Sequence, residues 1–78
     1  MPRYYFDLHN DVDSLDNEGC VFPDDASGIK HGIIEARHMA AHSVDQGHLI
    51  KHHRIEVRDE QRQLVRVVRF GEAVVIAE

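Results

Sequence analysis

The chain has 78 residues, of which 42% are hydrophobic and 29% charged, and its formal net charge at pH 7 is -5. These values predict one small globular domain over residues 1–78, argue against a disordered chain, and make a dedicated nucleic-acid binder improbable. No apolar run approaches the ~20 residues that span a bilayer, and the first residues lack the apolar core of a signal peptide. Cys20 is the single cysteine, which excludes an internal disulfide and a cysteine-rich zinc site.

The N-terminal third predicts two strands joined by a polar loop. Tyr4, Phe6 and Leu8 alternate with polar or less buried positions, so they are expected to face the core. Residues 9–19 are rich in Asp, Asn, Ser and Gly, which favour turns. A short return strand is expected at residues 20–22, and its Cys20 is expected to be a buried, inert thiol.

The middle of the chain predicts one amphipathic helix over residues 25–46. Asp24 is the expected N-cap and Gly47 the expected C-cap. Gly28 and Gly32 cost up to ~1 kcal/mol each relative to alanine, which weakens the helix signal in its first turns. One helix face carries the apolar residues expected to pack on a sheet, which are Ile29, Ile33, Ala36, Ala40 and Val44.

The C-terminal third predicts two further strands. Ile55 and Val57 alternate with charged neighbours and are expected to point inward. Residues 59–63 form a polar turn, and the imperfect alternation of residues 64–70 indicates a strand with a bulge or with burial on both faces. Residues 73–77 are apolar and β-prone, so they are expected to extend the sheet or to pair with another chain.

The order of these elements is strand, strand, helix, strand, strand. One helix buries its apolar face by covering one side of a small antiparallel sheet. We therefore expect an α+β two-layer fold with three to four strands.

The opening motif at residues 1–7, MPRYYFD, resembles that of DUF6894, a family of small bacterial domains of unknown function. An acidic loop ending in Asp-x-Glu-Gly (residues 16–19), an acidic helix start (24–26) and a Val-Arg-Asp-Glu segment (57–60) also resemble the family pattern. The turn at Gln61-Arg62 departs from it by lacking a glycine, and the helix is unusually rich in His and Gly. The resemblance implies this fold and a cytoplasmic setting, and it implies no activity, cofactor or catalytic residue.

A looser resemblance exists to small antitoxin domains of the HicB type. It consists of the aromatic first strand, the Gly19-Cys20 pair in the second strand and the amphipathic helix that follows. It implies binding to a small toxin protein, although a shared fold does not determine function.

Four polar residues of the helix form a stripe with metal-ligand chemistry: His31, Glu35, His38 and His42. Their spacing places them on one side of the helix, and a histidine pair four residues apart can chelate Zn²⁺ or Ni²⁺. The stripe lies opposite the apolar face, so it is expected to be solvated, without neighbours that orient the imidazoles. A polar helix face without metal is the favoured interpretation, and a metal-responsive domain is the alternative.

Two further clusters are expected to be solvated. The acidic loop residues are Asp11, Asp13, Asp16 and Glu18, but the glycine and glutamate that a calcium-binding EF-hand needs are missing. His48, His52 and His53 are expected to be loop residues, with a pH-dependent association as the alternative.

Basic residues concentrate in the C-terminal half, where Arg54 and Arg58 share one strand face. That face could bind nucleic acid with Tyr5 as a stacking residue, or it could pair with acidic groups on a neighbouring strand or partner. The negative net charge favours the second interpretation.

No arrangement of Ser, Cys or His in the sequence indicates nucleophilic catalysis. The sequence therefore predicts a non-enzymatic interaction module, without a cofactor or membrane partner, that forms a homodimer. Ile34, Ala41 and residues 73–77 are the expected contact surfaces. On this hypothesis, Val75→Asp weakens self-association and leaves the domain folded.

Overall fold

The computed structural model describes residues 1–10, 13–50 and 52–75. Its strands are β1 (Arg3–His9), β2 (Asp13–Ser14), β3 (Cys20–Val21), β4 (Arg54–Arg58) and β5 (Leu64–Arg69), and its helices are α1 (Asp25–Asp45) and α2 (Phe70–Ala73). The strands form one antiparallel sheet in the order β2-β1-β4-β5, and β3 pairs with the first half of β1. This confirms the predicted α+β class and adds a fifth strand. Within the described ranges, no helix is long and apolar enough to cross a membrane.

Helix α1 begins and ends close to the predicted positions. The Asp24 carboxylate accepts a hydrogen bond from the Ser27 backbone N–H at 2.8 Å, as expected of an N-cap. At the other end the Gln46 backbone N–H donates to carbonyls of the last turn, and Gly47 adopts a φ of 91°. This left-handed conformation is typical of the residue that follows a helix, which explains why the capping residues alone located both ends.

The buried face of α1 differs from the predicted apolar stripe. Ile29 and Ile33 are only half-buried, and Val44 is 59% exposed. A Cβ atom at Gly32 would lie 2.7 Å from Val57 Cγ2, so the helix approaches the sheet too closely for a larger side chain there. The fully buried helix positions all carry small residues, which are Gly28, Gly32, Ala36 and Ala40.

The inner faces of β4 and β5 agree with the prediction. Ile55 and Val57 are 3% and 0% exposed, and Val68 of β5 completes the row beneath α1. The register between β4 and β5 shifts between Val57 and Arg58, an irregularity of the kind that a bulge produces. Val67 is half-buried on the face opposite to that of Val68, so burial on both faces also contributes to the imperfect alternation. Phe70 then leaves the sheet as the first residue of α2 and lies in the core.

Three predictions about burial are wrong. Cys20 is exposed, because β3 is a two-residue strand at the edge of the sheet. Ala73 is only 4% exposed, because α2 packs against α1 where an extended tail was expected. His53 is 7% exposed, with its ring centroid 5.9 Å from that of Phe70. Val75 of the predicted tail is 92% exposed, and residues 76 and 77 lie outside the described ranges.

The close contact between α1 and β4 predicts that Gly32→Ala destabilises the fold. The displacement of Val57 is expected to outweigh the ~1 kcal/mol that alanine adds to helix propensity, and to lower the free energy of unfolding by about 1–2 kcal/mol net. Urea denaturation followed by circular dichroism measures this change. In a Val57→Ala background the same substitution is expected to cost less, so an equal cost in both backgrounds would contradict the assigned contact.

Candidate functional site

The sheet face opposite α1 is polar because the outward positions of two neighbouring strands carry charged residues. Pairing of β1 with β4 places Tyr5 opposite Arg58, Asp7 opposite Glu56 and His9 opposite Arg54. Together with the turn after β4 and the loop before β3, these strands form an open cleft of about 280 Å³. This charged cleft is lined by Asp7, His9, Leu15, Glu56, Arg58 and Arg62.

The carboxylate of Asp7 lies at the floor of the charged cleft and is 2% exposed. Its Oδ1 accepts the Asp16 backbone N–H at 2.9 Å, and Arg62 Nη2 lies 3.3 and 3.2 Å from its two oxygens. Arg58 Nε lies 3.4 Å from Oδ2. Two guanidinium groups therefore offset the cost of burying this charge. The result is that one carboxylate connects β1 to the loop before β3, to β4 and to the following turn.

Arg62 holds its side chain over the cleft through an unusual backbone conformation. Its φ is 63°, in the left-handed region that residues with a side chain rarely adopt. Its guanidinium lies 4.5 Å from the ring centroid of Tyr5, and its Nη1 donates to the Asp16 carbonyl at 3.1 Å. A cation–π contact and charge-assisted hydrogen bonds thus hold this arginine across the sheet.

His9 and Glu56 form the other end of the charged cleft. His9 Nδ1 lies 2.9 Å from Asp13 Oδ1, and its Nε2 lies 3.1 Å from Glu56 Oε1. Burial acts to raise the pKa of Glu56, but hydrogen bonds from Arg58 Nη2 (2.7 Å) and Arg54 Nε (3.2 Å) outweigh it and hold that pKa below its ordinary value. Carboxylate oxygens therefore lie within hydrogen-bonding distance of both ring nitrogens of His9.

The acidic loop uses Asp16 as an anchor. The backbone N–H groups of Phe6, Glu18 and Gly19 all donate to its carboxylate, at 3.1, 3.1 and 3.0 Å. Burial acts to raise the pKa of Asp16, but these hydrogen bonds outweigh it, so the pKa is lowered. A cation would have to displace these donors, and Asp11 lies outside the described residues. Asp16 is half-buried and structural, which corrects the prediction of a solvated turn at this residue, whereas Asp13 and Glu18 are exposed as predicted.

The predicted arginine face is the β4 wall of the charged cleft. Arg58 pairs with Asp7 on the neighbouring strand, which is one of the two alternatives that the sequence offered. The face of Tyr5 is covered by Arg62 and is engaged within the chain. Asp7, Glu56 and Arg62 were not predicted from the sequence to form one site. The available signal was strand alternation, which places both carboxylates on the same outward face as Arg58.

The histidine stripe of α1 is brought together only in part. His31 Nε2 lies 3.4 Å from Glu35 Oε1, and its ring packs on Phe6, with the two ring centroids 4.7 Å apart. The prediction of a solvated stripe is therefore wrong at His31 and holds at His38 and His42, which are exposed. Over residues 1–10, 13–50 and 52–75, no three His, Cys, Asp or Glu side chains converge in a way that could hold a metal ion.

The lowered pKa values of Glu56 and Asp16 predict a loss of stability in acid. Their ordinary values are 4.5 and 3.8, so below about pH 4.5 the unfolded chain binds protons that the folded chain does not. The free energy of unfolding is expected to be highest above that pH and to fall as the pH drops through the folded pKa values. Urea denaturation at pH 7, 5, 4 and 3 measures the slope. Glu56→Gln is expected to flatten it, and an unchanged slope would show that Glu56 contributes nothing.

Comparisons with known proteins bear on the family and not on the activity. The model of a domain of unknown function, DUF6894, matches residues 3–71. No curated protein matches the chain, and no solved structure matches it. These comparisons lend no support to the resemblance to HicB-type antitoxin domains. The match covers most of the chain and includes both walls of the charged cleft, so the chain belongs to the DUF6894 family.

Proposed function

We propose that this chain is a non-enzymatic protein-interaction module that forms a homodimer, in the cytoplasmic setting that the family resemblance implies. The observation that supports it is a difference between the two edges of the sheet. The outer edge of β1 is covered by β3, by β2 and, between them, by Asp16 Oδ2, which accepts the Phe6 backbone N–H. At the other edge, β5 offers six residues, and among the described strands it pairs only with β4. Such an edge presents unpaired N–H and C=O groups to a further strand.

A second copy of the chain fits this edge in antiparallel register. A two-fold axis perpendicular to the sheet can place Val67 opposite its own copy, which sets Arg66 opposite Val68 of the second copy. No arginine then lies directly opposite an arginine, and Arg69 keeps its contact with Glu72 at 3.4 Å. Leu64, which is 50% exposed, lies at the end of the same edge. The register therefore joins apolar residues at the centre of the contact.

The small core is a further argument for association. A core of this size supplies roughly 3–5 kcal/mol, and the fully buried positions of α1 are all glycine or alanine. Pairing of β5 with a second copy would bury more apolar surface and satisfy edge hydrogen bonds. The non-enzymatic part of the proposal is supported by the charged cleft, whose described lining residues include no hydroxyl or thiol nucleophile and whose Asp7 and Glu56 carboxylates are held in ion pairs with arginines.

Sedimentation velocity across a concentration series tests the proposal. The native chain is expected to sediment as a dimer, and Val67→Asp to shift it to the monomer, because two carboxylates would meet at the centre of the contact. Val67→Thr keeps the branched shape without charge and is the matched control, expected to remain dimeric. Circular dichroism of each variant confirms that it is folded. A native chain that stays monomeric at all concentrations would overturn the proposal.

A second surface is tested in the same experiment. Val75→Asp is expected to weaken self-association if the exposed tail also contributes to the contact. If Val75→Asp dissociates the dimer and Val67→Asp does not, the contact is formed by the tail, and the β5 edge is rejected. A monomer that instead forms a stoichiometric complex with one other protein would favour the antitoxin-like alternative.

A further inference from the structure

The charged cleft offers a ligand more hydrogen-bond donors than acceptors. Asp7 accepts the Asp16 backbone N–H and faces both Arg58 and Arg62, so each of its oxygens is engaged. Glu56 is engaged at Oε1 by Arg58 and His9 and at Oε2 by Arg54. The acceptors of the cleft are therefore largely occupied within the chain.

The donors of the cleft are in excess. A guanidinium carries five N–H groups. Arg58 places Nε beside Asp7, Nη1 on the Arg62 carbonyl and Nη2 on Glu56, while Arg62 uses Nη1 and Nη2 for Asp16 and Asp7. Among the described residues, these contacts leave N–H groups of both guanidiniums without a partner, and the two side chains are 28% and 39% exposed. A ligand that matches this surplus accepts hydrogen bonds and donates none.

The charge of the lining sets the charge of that ligand. Asp7 and Glu56 formally balance Arg58 and Arg62, and these two carboxylates repel each added negative charge, so a group with one negative charge is disfavoured less than a phosphate dianion. Leu15 is 60% exposed and lies at the rim, where it can cover a short carbon chain. We propose that the charged cleft binds a carboxylate, held by the guanidinium groups of Arg58 and Arg62, with Leu15 against its aliphatic part.

Two sources of a carboxylate are distinguished by two probes. Sodium propionate represents a small free acid, and the amide of N-acetylglutamate represents an acidic side chain of a protein. Backbone amide chemical shifts followed by NMR are expected to move and saturate at residues 15, 58 and 62 with the matching probe. Sodium chloride at the same ionic strength and propylammonium chloride are expected to leave these signals in place. The probe that binds more tightly identifies the source.

Three variants test the assignment to Arg62. Arg62→Gly suits the left-handed backbone and removes the guanidinium, so the chain is expected to fold and to bind the probe roughly tenfold more weakly, or worse. Arg62→Lys keeps the positive charge without the planar guanidinium, and its affinity for the probe is expected to lie between those of the native chain and Arg62→Gly. Arg69→Gln changes an arginine outside the cleft lining and is expected to bind as the native chain does. Unchanged affinity in Arg62→Gly, equal shifts with chloride, or no saturable shift with either probe would overturn the proposal.

Discussion

The buried carboxylate of Asp7 is the constraint on which the polar side of this protein depends. A charge that is 2% exposed requires partners, and they come from three separate parts of the chain: the Asp16 backbone, Arg58 of β4 and Arg62 of the turn that follows. Meeting that requirement places the acidic loop over β1 and folds the turn after β4 back across the sheet. The charged cleft is the space that remains between these elements.

The opposite side of the sheet depends on small residues. Helix α1 presents glycine and alanine to the strands, and this allows Tyr4 and Val57 to fill the contact that longer helix side chains would otherwise occupy. The chain therefore combines a tightly packed apolar layer with a polar layer built from ion pairs. The arginines of these ion pairs are partly exposed but the Asp7 carboxylate is buried, so the pairs position the loops and also offset the cost of burying that charge. Among the described strands, the outer edge of β5 is the part of the sheet that has no pairing strand within the chain.

Local patterns in the sequence were sufficient to predict the helix and most strands, but they were not sufficient to predict the charged cleft. Capping by Asp24, alternation at Ile55 and Val57, and the turn residues predicted α1, four of the five strands and their order along the chain, because these depend on neighbours in sequence. Burial of Gly32 in place of Val44 depends on the distance between helix and sheet, which no periodicity reports. Strand alternation placed Asp7 and Arg58 outward. The closure of the cleft by Arg62 depends on a backbone conformation that the residue type itself disfavours.

Arg62 connects the local backbone conformation of the turn after β4 with the long-range contacts of the charged cleft. A left-handed backbone costs a residue with a side chain about 1–2 kcal/mol, and a glycine in the same turn would avoid that cost. The fold therefore accepts local strain at this position, and what it gains is a guanidinium over Tyr5 that reaches Asp7 and the Asp16 carbonyl. Those contacts offset the strain, but they leave donors of the same group unused. Strained residues that the surrounding contacts hold in place cluster at binding sites, and the strained backbone of Arg62 therefore agrees with its proposed role in the charged cleft.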